Sequence, residues 1–147
     1  MIKYIDGDLI KLAQAGEFNV IIHGCNCWNT MGSGIAAQIR KVFPRAFTED
    51  YKTIRGDKDK LGTITIAKYD CCDIVNAYTQ FKFGQGRHAD YDAIRGCMKE
   101  IQRLYTGKKI GLPFIGAGLA GGDWNIISVI IEEELADEDI TVVRFKK

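Results

Sequence analysis

The chain lacks several features that would assign it to a class at once. No run of ~18 apolar residues occurs in its 147 residues, so no membrane span or membrane partner is expected. Basic residues exceed acidic ones by one, 20 against 19, which argues against the basic surface of a general nucleic-acid binder. There are two histidines (23, 88), and the five cysteines (25, 27, 71, 72, 97) fall as C-x-C, C-C and one single residue. None of this matches zinc-ligand spacing, so no metal or cofactor is expected. The cysteines read as free, buried thiols of a reducing cytoplasm. The opening residues, MIKYIDGDLI, carry acids early and lack the apolar core of a signal peptide, so a cytoplasmic location is expected. No G-x-x-x-x-G-K-[ST] occurs, so there is no P-loop.

What is present fits one domain over residues 1–147. The composition is 46% hydrophobic and 27% charged. A chain of this length buries roughly 70% of its unfolded surface and needs no staples. Strands are expected at 2–5, 20–23, 63–69, 73–80, 109–115 and 140–145. Helices are expected after Asp8, from Ile35, over RAFTEDYKTI, from Asp90, and over WNIISVIIEEELA. Ile94, Cys97, Met98, Ile101, Leu104 and Tyr105 form one core-facing stripe at three/four spacing. The strands are continuous apolar runs, and strands alternate with helices. That pattern predicts an α/β fold, a three-layer α/β/α sandwich on a mixed, mostly parallel sheet.

Two glycine-rich loops stand between an apolar strand and a helix: residues 24–34, within HGCNCWNTMGSGIAAQ, and residues 116–122, GAGLAGG. Each points backbone at a helix N-terminus, which is how a chain holds an anion. In a parallel sheet both loops lie at the carboxyl ends of strands, where such folds bind ligands. The spacing Gly116-x-Gly118-x-x-Gly121 also fits a dinucleotide fingerprint, but only one helix and one strand follow it. The last strand ends in Arg144, Lys146 and Lys147 instead of the acid that would hold a ribose. Two loops facing each other instead suggest a clamp for a diphosphate.

GDL (7–9), HGCNCWNTMGSGIA (23–36), NAYTQ (76–80) and PFIGAGLAGGDW (113–124) together resemble the macrodomain family, which binds ADP-ribose. The match runs over nearly the whole chain and looks most like the small branch described as ADP-ribose 1″-phosphate phosphatases. The branch that removes ADP-ribose from glutamate or DNA bases is also similar. The resemblance implies that Asp8 and the backbone of Leu9 hold adenine, and that Asn26 sits by the distal ribose. Met31, Gly32, Ser33, Gly34 and Ile35 would form the first phosphate loop. Ile115, Gly116, Ala117, Gly118 and Leu119 would form the second. The chain departs from the family's N-A-A-N at Cys25-Asn26-Cys27-Trp28-Asn29, and from G-G-G-V at Gly32-Ser33-Gly34-Ile35.

Catalysis by this reading falls to Asn26, Asp123 and Lys82. Lys82 lies near the lysine used by the glutamate-acting branch, while that branch's aspartate position is Ala120 here and Asp123 follows three residues later. Asp123 reads equally as the cap of the next helix. His23 reads as a core histidine before a general acid, and Cys25 and Cys27 as small core residues before a thiol nucleophile, since no histidine partner is evident. Trp28, Tyr78, Phe81 and Phe83 are either core aromatics or a roof over sugar and base. Two functions stay open at this level. One is a hydrolase of an ADP-ribose derivative: ADP-ribose 1″-phosphate, O-acetyl-ADP-ribose, or ADP-ribosyl groups on glutamate or DNA. The other is a non-catalytic ADP-ribose reader. Oligomeric state is left open.

Overall fold

The computed structural model describes residues 1–84 and 86–146. The described residues form six strands and five α-helices: β1 Lys3–Gly7, α1 Leu9–Gln14, β2 Val20–Cys25, α2 Gly34–Val42, α3 Pro44–Tyr51, β3 Ile64–Lys68, β4 Asp73–Tyr78, α4 Tyr91–Tyr105, β5 Lys109–Leu112, α5 Trp124–Glu134 and β6 Asp139–Phe145. A short 3₁₀ turn, Lys58–Lys60, precedes β3. The sheet order is β1-β6-β5-β2-β4-β3, and every neighbouring pair is parallel except β3 with β4.

Two apolar clusters sandwich the sheet. One gathers Ile94, Met98 and Ile101 of α4 and Ile127 and Ile131 of α5 against Val20, Ile22, Leu112 and Val142. The other gathers Ile10 and Ala13 of α1, Ile39 of α2 and Ala46 of α3 against Ile21 and Ile74. Each fully buried Ile, Leu or Met side chain contributes roughly 1.5–3 kcal/mol to holding the layers together. The three-layer α/β/α arrangement is therefore the one expected from the apolar runs. β2 is buried along almost its whole length because it lies inside the sheet, between β5 and β4.

The deviations from expectation are local. β5 stops at Leu112 instead of Ile115, because Pro113 has no N–H to add to the ladder. β4 stops at Tyr78 and α3 at Tyr51. On α4, Leu104 faces solvent while the rest of the predicted stripe is buried.

The sheet order sets the site. After β2 the chain builds toward β4 and β3, whereas β5 and β6 lie on β2's other side. The carboxyl ends of β2 and β5 are thus neighbours at a switch in strand order, where a crevice opens between the loops that follow. Asp8, after β1, sits at the same edge of the sheet. It is three strand spacings from β2, or ~14 Å.

Candidate functional site

Four helix N-termini bear on the site, and they are not alike. Asp8 caps α1, its Oδ1 accepting from the N–H groups of Ile10 (3.0 Å) and Lys11 (3.2 Å). Asp90 caps α4 by accepting from Ala93 (3.0 Å), and Asp123 caps α5 by accepting from Asn125 (2.9 Å). Ser33, at the same position before α2, makes no side-chain cap bond. The N–H groups from Gly32 to Ala36 have no acceptor among the described residues. An open helix N-terminus offers unsatisfied donors and the positive end of the helix dipole. Gly34 opens this helix at φ +58°, a conformation that strains any side chain.

The second loop closes on itself. Gly122 N–H donates to the Gly116 carbonyl (2.8 Å) and Gly121 N–H to that of Gly118 (3.1 Å). The turn needs φ +76° at Gly116, where a Cβ would also stand 3.1 Å from both Ile94 Cδ1 and Ile127 Cδ1. The N–H groups of Gly118, Leu119 and Ala120 have no acceptor among the described residues. Gly118 itself is not in the left-handed region, and a Cβ there would stand in open space, with no atom beyond its chain neighbours within 4 Å. The two loops meet: a Cβ on Gly34 would lie 3.4 Å from Leu119 Cδ1. Leu119 is otherwise 73% exposed.

Of the predicted ligand residues, Leu9, Met31 and Ile115 bury their side chains in the core and can offer a ligand only backbone. Asn26 lies in the first loop with its amide already turned. Its Oδ1 accepts from Trp28 N–H (2.7 Å) and its Nδ2 donates to Thr30 Oγ1 (2.8 Å), leaving one amide hydrogen and one lone pair. Asp123 is exposed. Besides capping α5, its backbone N–H donates to Tyr91 Oη (3.0 Å). Lys82 is exposed on the loop after β4, and its amine makes no hydrogen bond or ion pair among the described residues. That loop leans on the second glycine loop, since His88 and Ala89 N–H both donate to the Ala120 carbonyl. Asp8 borders an open cavity of about 630 Å³ that Lys11, Leu12, Phe145 and Lys146 also line. The exposed Phe145 ring beside the carboxylate was not picked out from sequence, where it reads as one more residue of the last strand.

Beneath the first loop is a buried polar network. His23, fully buried inside β2, donates from Nε2 to Asn76 Oδ1 (2.6 Å). The Asn76 amide in turn donates to the Ala46 carbonyl (2.9 Å) and Thr65 Oγ1 (3.0 Å). His23 is thus a satisfied core histidine within its strand. Cys25 Sγ does approach it, 3.7 Å from Nε2 and 3.8 Å from Nδ1, a contact that sequence did not reveal. Burial holds the imidazole down to about 4 against the support of Asn76, and pushes the Cys25 thiol well up. Both groups stay neutral, the opposite of an activated thiolate pair. Tyr78 is also buried, its hydroxyl donating to Asp50 Oδ1 (2.7 Å), so it roofs nothing. Trp28 and Phe81 pack edge to face at 5.6 Å, and Phe83 is exposed.

Comparison with known proteins bears directly on this geometry. The family model described as Macro domain matches residues 22–131, which run from β2 through both loops into α5. The chain belongs to the macrodomain family. This macrodomain is 38% identical over 152 residues to the "uncharacterized 17.5 kDa protein in tk-vs intergenic region" of Enterobacteria phage T4, covering 97% of this chain and 96% of that one. It is 30% identical to a Candida albicans protein named ADP-ribose 1″-phosphate phosphatase, covering 90% and 93%. A solved structure of a protein of unknown function from Bacteroides thetaiotaomicron superposes with a TM-score of 0.81 at 29% identity, covering 99% of this chain and 98% of that one.

Proposed function

We propose that this macrodomain binds ADP-ribose along the carboxyl edge of its sheet and hydrolyses ADP-ribose derivatives, ADP-ribose 1″-phosphate first among them. The observation that carries this reading is the uncapped α2 N-terminus beside the loop that holds the open N–H groups of Gly118–Ala120, the two meeting where Leu119 approaches Gly34. Two sets of unsatisfied donors at a strand-order switch suit a diphosphate. An elongated ligand fits the ~14 Å from β1 to β2. Adenine would lie in the Asp8 cavity, its amine donating to the carboxylate and its ring beside Phe145. The diphosphate would lie between the loops, and the distal ribose at Asn26. The likeness to the Candida albicans phosphatase supports the choice of substrate.

Hydrolysis of the phosphate ester needs a positioned water and donors for developing charge. Asn26 enters with its amide pre-oriented by Trp28 and Thr30, so its remaining hydrogen and lone pair are fixed in direction. Asp123 supplies the carboxylate at the loop's end. His23 and Cys25, neutral and buried, take no part. Removal of ADP-ribosyl groups through Lys82 is the rival chemistry, favoured by that lysine's exposed amine, which has no partner among the described residues.

The test is a turnover panel of ADP-ribose 1″-phosphate, O-acetyl-ADP-ribose, ADP-ribosyl-glutamate peptide and ADP-ribosylated DNA, run on wild type, Asn26→Ala and Lys82→Ala. Phosphate release reduced ~10²-fold by Asn26→Ala is expected, the scale of one positioned catalytic group. Release of ADP-ribose from peptide or DNA, lost in Lys82→Ala and without phosphate release, would establish the rival. Binding with no turnover at all would make the protein a reader.

A further inference from the structure

We propose that Lys60 is the positioning residue of the Asn26 loop, its buried ammonium fixing residues 27–29 and through them the direction of the Asn26 amide. The proposal rests on the reading that Asn26 acts at the distal ribose.

Lys60 is 7% exposed, whereas Lys58 on the same turn is exposed and stands 5.1 Å from the Phe81 ring. Burying an ammonium is costly, so a fold that needed only packing there would do better with a hydrocarbon. Among the described residues this ammonium makes two hydrogen bonds, and both go to one loop. It donates to the Cys27 carbonyl (3.0 Å) and to Asn29 Oδ1 (2.6 Å). These acceptors flank Trp28, whose N–H holds Asn26 Oδ1. Asn29 stands at φ +57°, a strained conformation for a residue with a side chain, and its Nδ2 donates to the Thr53 carbonyl (2.9 Å). Gly56 N–H adds a second donor to the Cys27 carbonyl (2.7 Å).

Two neighbours offset part of the cost of burying the charge without accepting its hydrogens. The Tyr78 ring lies 5.0 Å from Nζ. Asp50, 1% exposed and hydrogen-bonded by Tyr78, supplies the nearby negative charge, with no carboxylate within 4 Å of the amine among the described residues. Burial lowers the Lys60 pKa and Asp50 opposes that shift. A buried cation that spends two of its three donors on the backbone and side chain of a neighbouring loop orients that loop.

The experiment compares Lys60→Met, which keeps the stem and removes the charge, with Lys58→Met as control. Hydrogen exchange is read in the ligand-free protein at the Cys27 and Trp28 amides, with ADP-ribose affinity and kcat for ADP-ribose 1″-phosphate alongside. Lys60→Met should speed exchange at these two amides at least tenfold and leave α4 and α5 protected. It should lower kcat tenfold or more while the ADP-ribose Kd stays within threefold. Lys58→Met should change none of these. Unchanged exchange at Cys27 and Trp28, or faster exchange spread over the whole chain, overturns the proposal. If wild type turns over nothing, the exchange result still decides the role of Lys60, and only the hydrolase reading fails. Should Lys60→Met not fold, Lys60→Gln, which retains an N–H donor, takes its place. Loss of folding in both overturns the proposal, because Lys60 would then be holding the fold and not the loop.

Discussion

The two glycine-rich loops sit side by side on one edge of the sheet, yet they are built by opposite means. The loop after β5 is shaped by its own backbone, with Gly122 bonded to Gly116 and Gly121 to Gly118, and ends in a helix that Asp123 caps. The loop after β2 is held from below by side chains that arrive from elsewhere. Lys60 binds Cys27 and Asn29, Thr53 binds Asn29, and Arg40 donates to the Thr30 carbonyl (3.1 Å). It ends in a helix with no side-chain cap. On the proposed reading, the helix end without a side-chain cap is the one that receives the diphosphate. Where Asp123 completes α5, only the loop's own N–H groups remain to bind, whereas α2 presents its whole first turn.

The sharpest way to break the comparison is to block the self-built loop. Gly118→Val should lower ADP-ribose affinity at least 100-fold by calorimetry, with thermal stability unchanged, because a Cβ there enters open space and the branched side chain would obstruct a ligand. Unaltered affinity would remove the second loop from the phosphate site. Next comes the end of the ligand that neither loop touches. Asp8→Ala should weaken ADP-ribose by roughly 1.5–3 kcal/mol, the value of a hydrogen bond to a charged group. Ribose 5-phosphate binding should hardly change. Equal losses for both ligands would mean that Asp8 acts only as the cap of α1. The smallest effect belongs to the completed helix. Asp123→Ala should cost ~1 kcal/mol of stability in denaturant titration, as loss of an N-cap does, while ADP-ribose affinity stays within threefold.

The same contrast explains what could be read from the chain. The second loop was legible because glycine spacing encodes it. The layers were legible because VII of β2 and the α4 stripe carry their burial in their composition. Strand ends were misjudged where Pro113 cut the ladder. The floor of the first loop was not legible. Lys60 and Thr53 are 33 and 24 residues from their partners in the loop. In GDKDKLG nothing distinguishes a buried Lys60 from an exposed Lys58, and that segment reads simply as a charged turn. The His23–Cys25 approach was hidden for another reason: alternate residues on one strand share a face, but their chemistry depends on Asn76 from β4 beside them. By sequence Asp123 fits either a catalytic group or a cap. The structure shows the capping bond, and a part in catalysis remains within the proposal.

The most direct measurement of the central claim is ADP-ribose affinity, with thermal stability, in Ser33→Asp. An aspartate there gives α2 the kind of cap its neighbours carry and puts negative charge at the helix's positive end. Stability should be unchanged or raised by up to about 1 kcal/mol while affinity falls 100-fold or more. Undiminished affinity in a folded Ser33→Asp protein would contradict it, because the open N-terminus of α2 would then not be where the diphosphate binds.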